Sequence, residues 1–329
     1  RSQMSVPLSF INAKLRGRRR RVYEGDRLRD VRRCNSVKQL WERLYPRERG
    51  TGRVSLERRL RRDCIEELCS FAHLLPPGVE ALYRTLLRRF EVDNIQVLLR
   101  LFAGGGGAPK PERYTAELPE ELSVDSRELL SSPNIKQFIG RLPPDLAEEA
   151  ENTLELYKSH QTTAFTEMAL ERAWWMSVCE ALDNVKGAHR DHCAAPLLLE
   201  LAASRLVAVL RAGRAYDLDW AEISPHLPPA GPEPPEESGE PLSDAALEEL
   251  FEDPSPENVS KRVPAIDKST ARSLVEMEEA LWDKTIRIVN RIYYGVMEGP
   301  SIVVCYFYVR RNELDNLVET IESVHFSSR

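Results

Sequence analysis

His189, His192 and Cys193 stand within one short stretch, and with Cys179 they could ligate zinc. Zinc needs four such ligands, or three with an open position. The surrounding Gly187-Ala188-His189-Arg190-Asp191 reads instead as a polar hairpin turn carrying solvated histidines, so no metal site is expected. Four glycines at 104–107 suggest a phosphate cradle, but no Gly-Lys-Ser/Thr follows them and Lys110 sits between two prolines. That run reads as a flexible linker. Arg16 and the arginines at 18–21 could neutralise nucleic-acid phosphates. Tyr23 alone supplies an aromatic nearby, so the run reads as a solvated helix face that pairs with the chain's own acidic regions. No Ser/His/Asp or Cys/His arrangement and no acid/base pair of carboxylates is evident. Catalysis, a bound cofactor and direct nucleotide binding are therefore not expected.

The elements that must position these residues are helical by composition. Leu, Glu, Arg and Ala dominate the 329 residues, 42% are hydrophobic and 30% charged, and β-branched runs are rare. The net charge of −6 hides an asymmetry: residues 1–62 hold 20 basic and 6 acidic side chains, and the remainder 26 and 46. Such a dipolar chain implies charged partners, or two parts that attract each other in the fold. Six cysteines form no CxxC pair, which points to reduced, mostly buried thiols in a cytosolic protein. No signal peptide is visible and no segment is read as spanning a bilayer; the apolar run 194–210 carries Glu200 and Arg205, as an amphipathic helix would.

Pro/Gly/acid-rich stretches at 103–119 and 225–241 read as linkers unable to pack a core, with a shorter break at 253–256. Between them three elements recur in order. The first begins Asn35-Ser36-Val37, Asn134-Ile135 or Glu257-Asn258-Val259. The second is a helix with Leu56-Glu57, Leu170-Glu171 or Met277-Glu278. The third is an aliphatic helix in which Asn94, Arg205 and Asn316 follow at 111-residue steps. Leu82, Leu86 and Phe90 mark an i, i+4, i+8 stripe there, and the Leu197, Leu201, Leu206, Leu210 series does likewise. Two such helices joined by a turn are expected to bury their stripes against each other. The run 302–309 continues directly into a helical pattern and is expected to start that buried helix. Trp174, Trp175 and Trp282 read as core or inter-domain contacts rather than a ligand cage.

At Phe10-Ile11-Asn12-Ala13-Lys14-Leu15-Arg16-Gly17 the sequence resembles the N-terminal helix of the central-stalk socket family of A- and V-type rotary ATPases. Asp93-Asn94-Ile95 with Leu98-Leu99-Arg100 is similar to that family's first repeat helix. Leu210-Arg211-Ala212 with Tyr216 and Leu218 resembles the middle one, and Glu313-Leu314-Asp315-Asn316-Leu317 the last. Arg205 departs from the pattern, which usually has Asn. The resemblance runs from about residue 10 to the C-terminus.

It implies an all-α fold of three pseudo-repeated helical-hairpin domains, over 1–108, 109–230 and 231–329, arranged as a funnel around a central cavity. It also implies a non-catalytic central-rotor coupling subunit, one copy per complex, peripheral on the cytoplasmic face of a membrane. Its partners would be the central shaft subunits and the membrane rotor ring, with no nucleic acid. Asn94, Arg100, Arg205, Arg211, Glu313 and Asn316 are candidates either to bridge neighbouring helices or to line the cavity that meets the shaft. A different reading of the residues is a free cytosolic helical-repeat adaptor, or a nucleic-acid binder using the basic N-terminal third.

Overall fold

The computed structural model describes residues 7–50, 52–105, 110–187, 189–215, 218–232 and 242–327. Among them are sixteen α-helices and no strand. α1 (Leu8–Arg19) and α2 (Gly25–Arg32) lead into α3 (Val37–Leu44), α4 (Arg53–Ala72) and α5 (Pro77–Ala103). Then come α6 (Ser126–Leu130), α7 (Ile135–Ile139), α8 (Pro144–Glu151), α9 (Leu154–His160), α10 (Ala164–Asp183) and α11 (His189–Ala215). The chain ends with α12 (Trp220–Ile223), α13 (Asp244–Glu252), α14 (Pro256–Arg262), α15 (Leu274–Gly295) and α16 (Pro300–Ser327).

Local chemistry sets the helix starts. Each of the three recurring short elements begins at a capping side chain: Ser36 accepts from the Gln39 amide, Asn134 from that of Gln137, and Ser255 from that of Asn258. Proline occupies the first turn of α5, α8 and α14, where its missing N–H has no partner to lose. The long helices that follow pair as 20 and 27, 20 and 27, then 22 and 28 residues. This matched succession is the structural counterpart of the repeating sequence elements.

The first two hairpins pack chiefly on helices outside themselves, whereas α15 and α16 of the third pack closely on each other. α5 packs more extensively along α10 than along its own hairpin mate α4, and α11 more along α15 than along α10. α16 returns to α4, so neighbour relations among the six long helices run in a closed circuit. The reason is that these helices are apolar on more than one side. α5 buries Leu82, Tyr83, Leu86, Leu87, Val92, Ile95, Leu98 and Leu99, which no single facing helix could cover. As its sequence suggests, the run 302–309 opens a buried helix: all ten residues from Pro300 to Val309 are inaccessible. One hydrophobic cluster runs from Ile11 to Val324, and a second joins the C-terminal half of α11 to α13, α14 and the start of α15.

Residues 110–119 of the first stretch pack, contrary to expectation. Pro111 is buried, and Ala116 and Leu118 lie against the core, because Asn94 supplies the backbone partners this segment lacks within itself. Leu227 in the second stretch is likewise buried, and Arg205 binds the Pro228 carbonyl. Gly106, Gly107, Pro109, Tyr216 and residues 233–241 lie outside the described residues. α11 also corrects a sequence expectation: residues His189–Arg214 are long and apolar enough to cross a membrane. Composition alone passes that test, yet 72% of the apolar window is buried inside the protein, where neighbouring helices rather than lipid cover it.

Candidate functional site

A cavity of about 700 Å³ lies where α5, α10, α11, α15 and α16 converge, so each of the three long-helix pairs contributes a wall. Its charged lining is four arginines, Arg89, Arg100, Arg211 and Arg311, and four glutamates, Glu167, Glu171, Glu200 and Glu278. They pair off. In the better-buried tier Arg89 donates to Glu171 at 2.8 Å and Arg311 to Glu200 at 3.0 Å. The Tyr308 hydroxyl donates to the other Glu200 oxygen at 2.5 Å. In the open tier Arg100 grips Glu167 through Nε and Nη2, and Arg211 reaches Glu278 at 3.1 Å.

Electrostatics favours the charged forms of Glu171 and Arg311. Burial alone would raise the pKa of Glu171, but the Arg89 guanidinium outweighs it and holds the carboxyl below the usual range. Burial would lower that of Arg311, and Glu200 outweighs it. A carboxylate clamped by arginine is a poor general acid or base, since a proton would have to displace the cation. The cavity is therefore built to be stiff and charge-balanced, and it offers polar contacts to whatever enters.

The pairs also show the register of the repeat. Arg100–Glu167 and Arg211–Glu278 each span 67 residues, and they are related to each other by 111. They clamp equivalent seams, α5 to α10 and α11 to α15. On the third seam, α16 to α4, Glu322 stands 111 residues beyond Arg211 and meets Arg53 at 3.6 Å, with the polarity reversed. Arg89, Glu200 and Arg311 follow at the same interval, and the last two bond directly. Sequence reasoning missed this trio. Its signal was the 111-residue step already visible at Asn94, Arg205 and Asn316.

Of the six sequence candidates, Arg100 and Arg211 line the cavity and lie on its open tier. The other four are brought elsewhere, as bridges. Asn94 accepts from the Ala116 amide at 2.7 Å and donates to its carbonyl at 2.8 Å. Arg205, buried, donates to the Pro228 carbonyl at 3.1 Å and to Asp244. Both hold a segment that returns 22 or 23 residues later, so Arg does in the second helix what Asn does in the first. Glu313, also buried, accepts from the Tyr23 amide at 2.6 Å. Asn316 donates to the Asn312 carbonyl and accepts from Arg32.

Other motifs resolve similarly. His189 and His192 belong to the first turns of α11, half-buried, rather than to a solvated hairpin turn, and Cys193 is packed in the core. Among the described residues no three His, Cys, Asp or Glu side chains gather as metal ligands. Cys64, Cys193 and Cys305 are buried and the other three half-buried, all as free thiols. Burial pushes the Cys193 thiol up to about 12, away from reactivity. Trp174 donates to the Thr85 carbonyl at 2.8 Å, joining α10 to α5, and Trp282 donates to Asn312. The N-terminal arginines are partly consumed inside the fold: Arg16 binds the Val296 and Met297 carbonyls, Arg18 pairs with Glu67, and Arg19 with Glu24. The basic third attracts the acidic end of α16, through Arg32–Glu319 and Arg53–Glu322.

The Phe10-to-Gly17 motif has a positional role. Ile11 and Leu15 are buried, and Asn12 donates to the Gly299 carbonyl, so α1 clasps the turn between α15 and α16. The sequence pattern of the family described as ATP synthase (C/AC39) subunit matches residues 11–327. The chain belongs to that family. No curated protein matches it. Members of the C/AC39 family are peripheral, structural components of V/A-type ATPases, which are multisubunit membrane complexes. In this C/AC39 chain helices from all three long pairs wall a charge-paired cavity of about 700 Å³.

Proposed function

We propose that this chain is the central-rotor coupling subunit of its ATPase, receiving the end of the rotating shaft in the central cavity and passing torque to the membrane rotor ring. Its three repeats, over 1–108, 109–230 and 231–329, would form a funnel, with one copy per complex on the cytoplasmic face. The observation that carries the reading is the cavity: helices from all three long pairs wall it, and ion pairs clamp the seams between them. A torque-bearing part must resist shear between its elements, and side chains that cross each seam supply that resistance. Arg100 and Arg211, half-exposed on the open tier, are the groups we assign to shaft contact. Asn94, Arg205, Glu313 and Asn316 hold the walls in place. Paired charges would orient an occupant more than they would bind it.

The test is assembly. Expressed with its membrane sector, the chain should co-sediment with ring and shaft, and Arg100→Glu with Arg211→Glu should release the shaft while the ring stays bound. Recovery of the chain only in the supernatant would sink the proposal.

A further inference from the structure

A second cavity, of about 520 Å³, opens between α11, α14 and α15. Leu198, Leu206 and Leu281 give it aliphatic walls. Its charged lining is Arg205, Lys261, Arg262 and Lys284, and among the described residues no acidic side chain lines it. That imbalance separates it from the central cavity, where arginines and glutamates match. Two of the cations are committed: Arg205 to the Pro228 carbonyl and Asp244, and Arg262 to Glu249. The Nε of Arg262 is nevertheless buried with no acceptor. Lys261 and Lys284 have no counter-ion among the described residues.

Lys261 is exposed and Lys284 half-buried, and cations at the mouth of an aliphatic pocket favour an occupant that joins a negative charge to an apolar body. We infer that this pocket binds a single-chain anionic amphiphile, a long aliphatic tail ending in one carboxylate or phosphate monoester. The tail lies along the three leucines. The head sits between Lys261 and Lys284. The volume falls within the roughly 300–1,000 Å³ of small-ligand pockets. A bare inorganic anion would leave the walls unused, and a neutral lipid would leave the lysines uncompensated. The inference is independent of the shaft and ring.

Titration of the full chain with hexadecanoate, hexadecyl phosphate, hexadecanol and inorganic phosphate tests it. One saturable site for either long-chain anion is expected, and the tighter of the two identifies the head group. Hexadecanol and inorganic phosphate should each bind at least tenfold more weakly. Lys261→Glu with Lys284→Glu, both away from the core, should weaken long-chain anion binding at least tenfold, with circular dichroism verifying the fold. Equal binding by that variant, equal binding of hexadecanol or of inorganic phosphate, or no saturable site overturns the inference. Should the double variant fail to fold, loss of the preference for long-chain anions over hexadecanol at high salt serves as the second reading, and an unchanged preference overturns it.

Discussion

Arg311 on α16 donates to Glu200 on α11 at 3.0 Å, and the two are separated by 111 residues, one full step of the sequence repeat. Arg89, one more step back, lies in the same cavity and carries its field to both. The cavity wall thus carries an Arg, Glu, Arg trio, each side chain mostly buried.

Removing the carboxylate from that trio leaves two arginines facing each other in a poorly solvated space. Glu200→Gln should destabilise the protein by about 3 kcal/mol, the scale for breaking a buried ion pair by deleting one partner. Replacing both Glu200 and Arg311 by leucine should cost less than Glu200→Gln alone. Denaturant unfolding of the three variants measures this, and a double variant weaker than the single one would refute the pairing.

The seam bridge Arg100–Glu167 is half open to solvent, so its contribution is discounted accordingly. Arg100→Glu alone should lower stability by about 1 kcal/mol through like-charge contact, and the swap Arg100→Glu with Glu167→Arg should recover most of it. A double-mutant cycle in low salt reads the coupling; additivity of the two single changes would remove the bridge from consideration.

Asn94 satisfies both backbone groups of Ala116, which nothing else in that segment does. Asn94→Ala should cost about 2 kcal/mol, the penalty for stranding buried polar groups. Asn94→Asp keeps the acceptor and loses the donor, so it should fall between. Amide exchange at Ala116 should accelerate in Asn94→Ala and stay protected in Asn94→Asp, which keeps the acceptor; protection equal to wild type in Asn94→Ala would show that another group takes over.

The pH dependence follows from Glu171. Its folded pKa lies below the ordinary 4.5, so it contributes stability that is present above that value and lost as pH falls through the lower folded value. In Arg89→Gln the desolvation of Glu171 is less opposed, so its carboxyl should titrate higher and this acid-sensitive contribution to stability should shrink. Carboxyl-resolved NMR titration follows the group directly. An unchanged midpoint in the variant would exclude Arg89 as the cause.

Much of this architecture can be read from residues in order. Helix starts depend on neighbours three positions away, as at Ser36, Asn134 and Ser255, so they are written locally. The 111-residue step at Asn94, Arg205 and Asn316 was also visible, but its meaning was not. Two of these three anchor a returning segment, which depends on where Ala116 and Pro228 end up. Arg100 and Arg211 were singled out as candidates, whereas their partners Glu167 and Glu278 lie on helices 67 residues further on. Nothing in the composition of α5 says that α10 will meet it.

The sequence by itself determined that the chain is helical, that three elements recur in order along it, and which family it resembles. All of these rest on short-range hydrogen bonding, on i to i+4 spacing, or on motifs read in line. Only the tertiary structure decided that α5 and α11 favour neighbours outside their hairpins, that α11 is covered by protein, and that Arg89, Glu200 and Arg311 converge. The physical reason is that an apolar stripe specifies burial without naming what buries it. A charge likewise specifies the need for a counter-charge, and the fold alone chooses which one arrives.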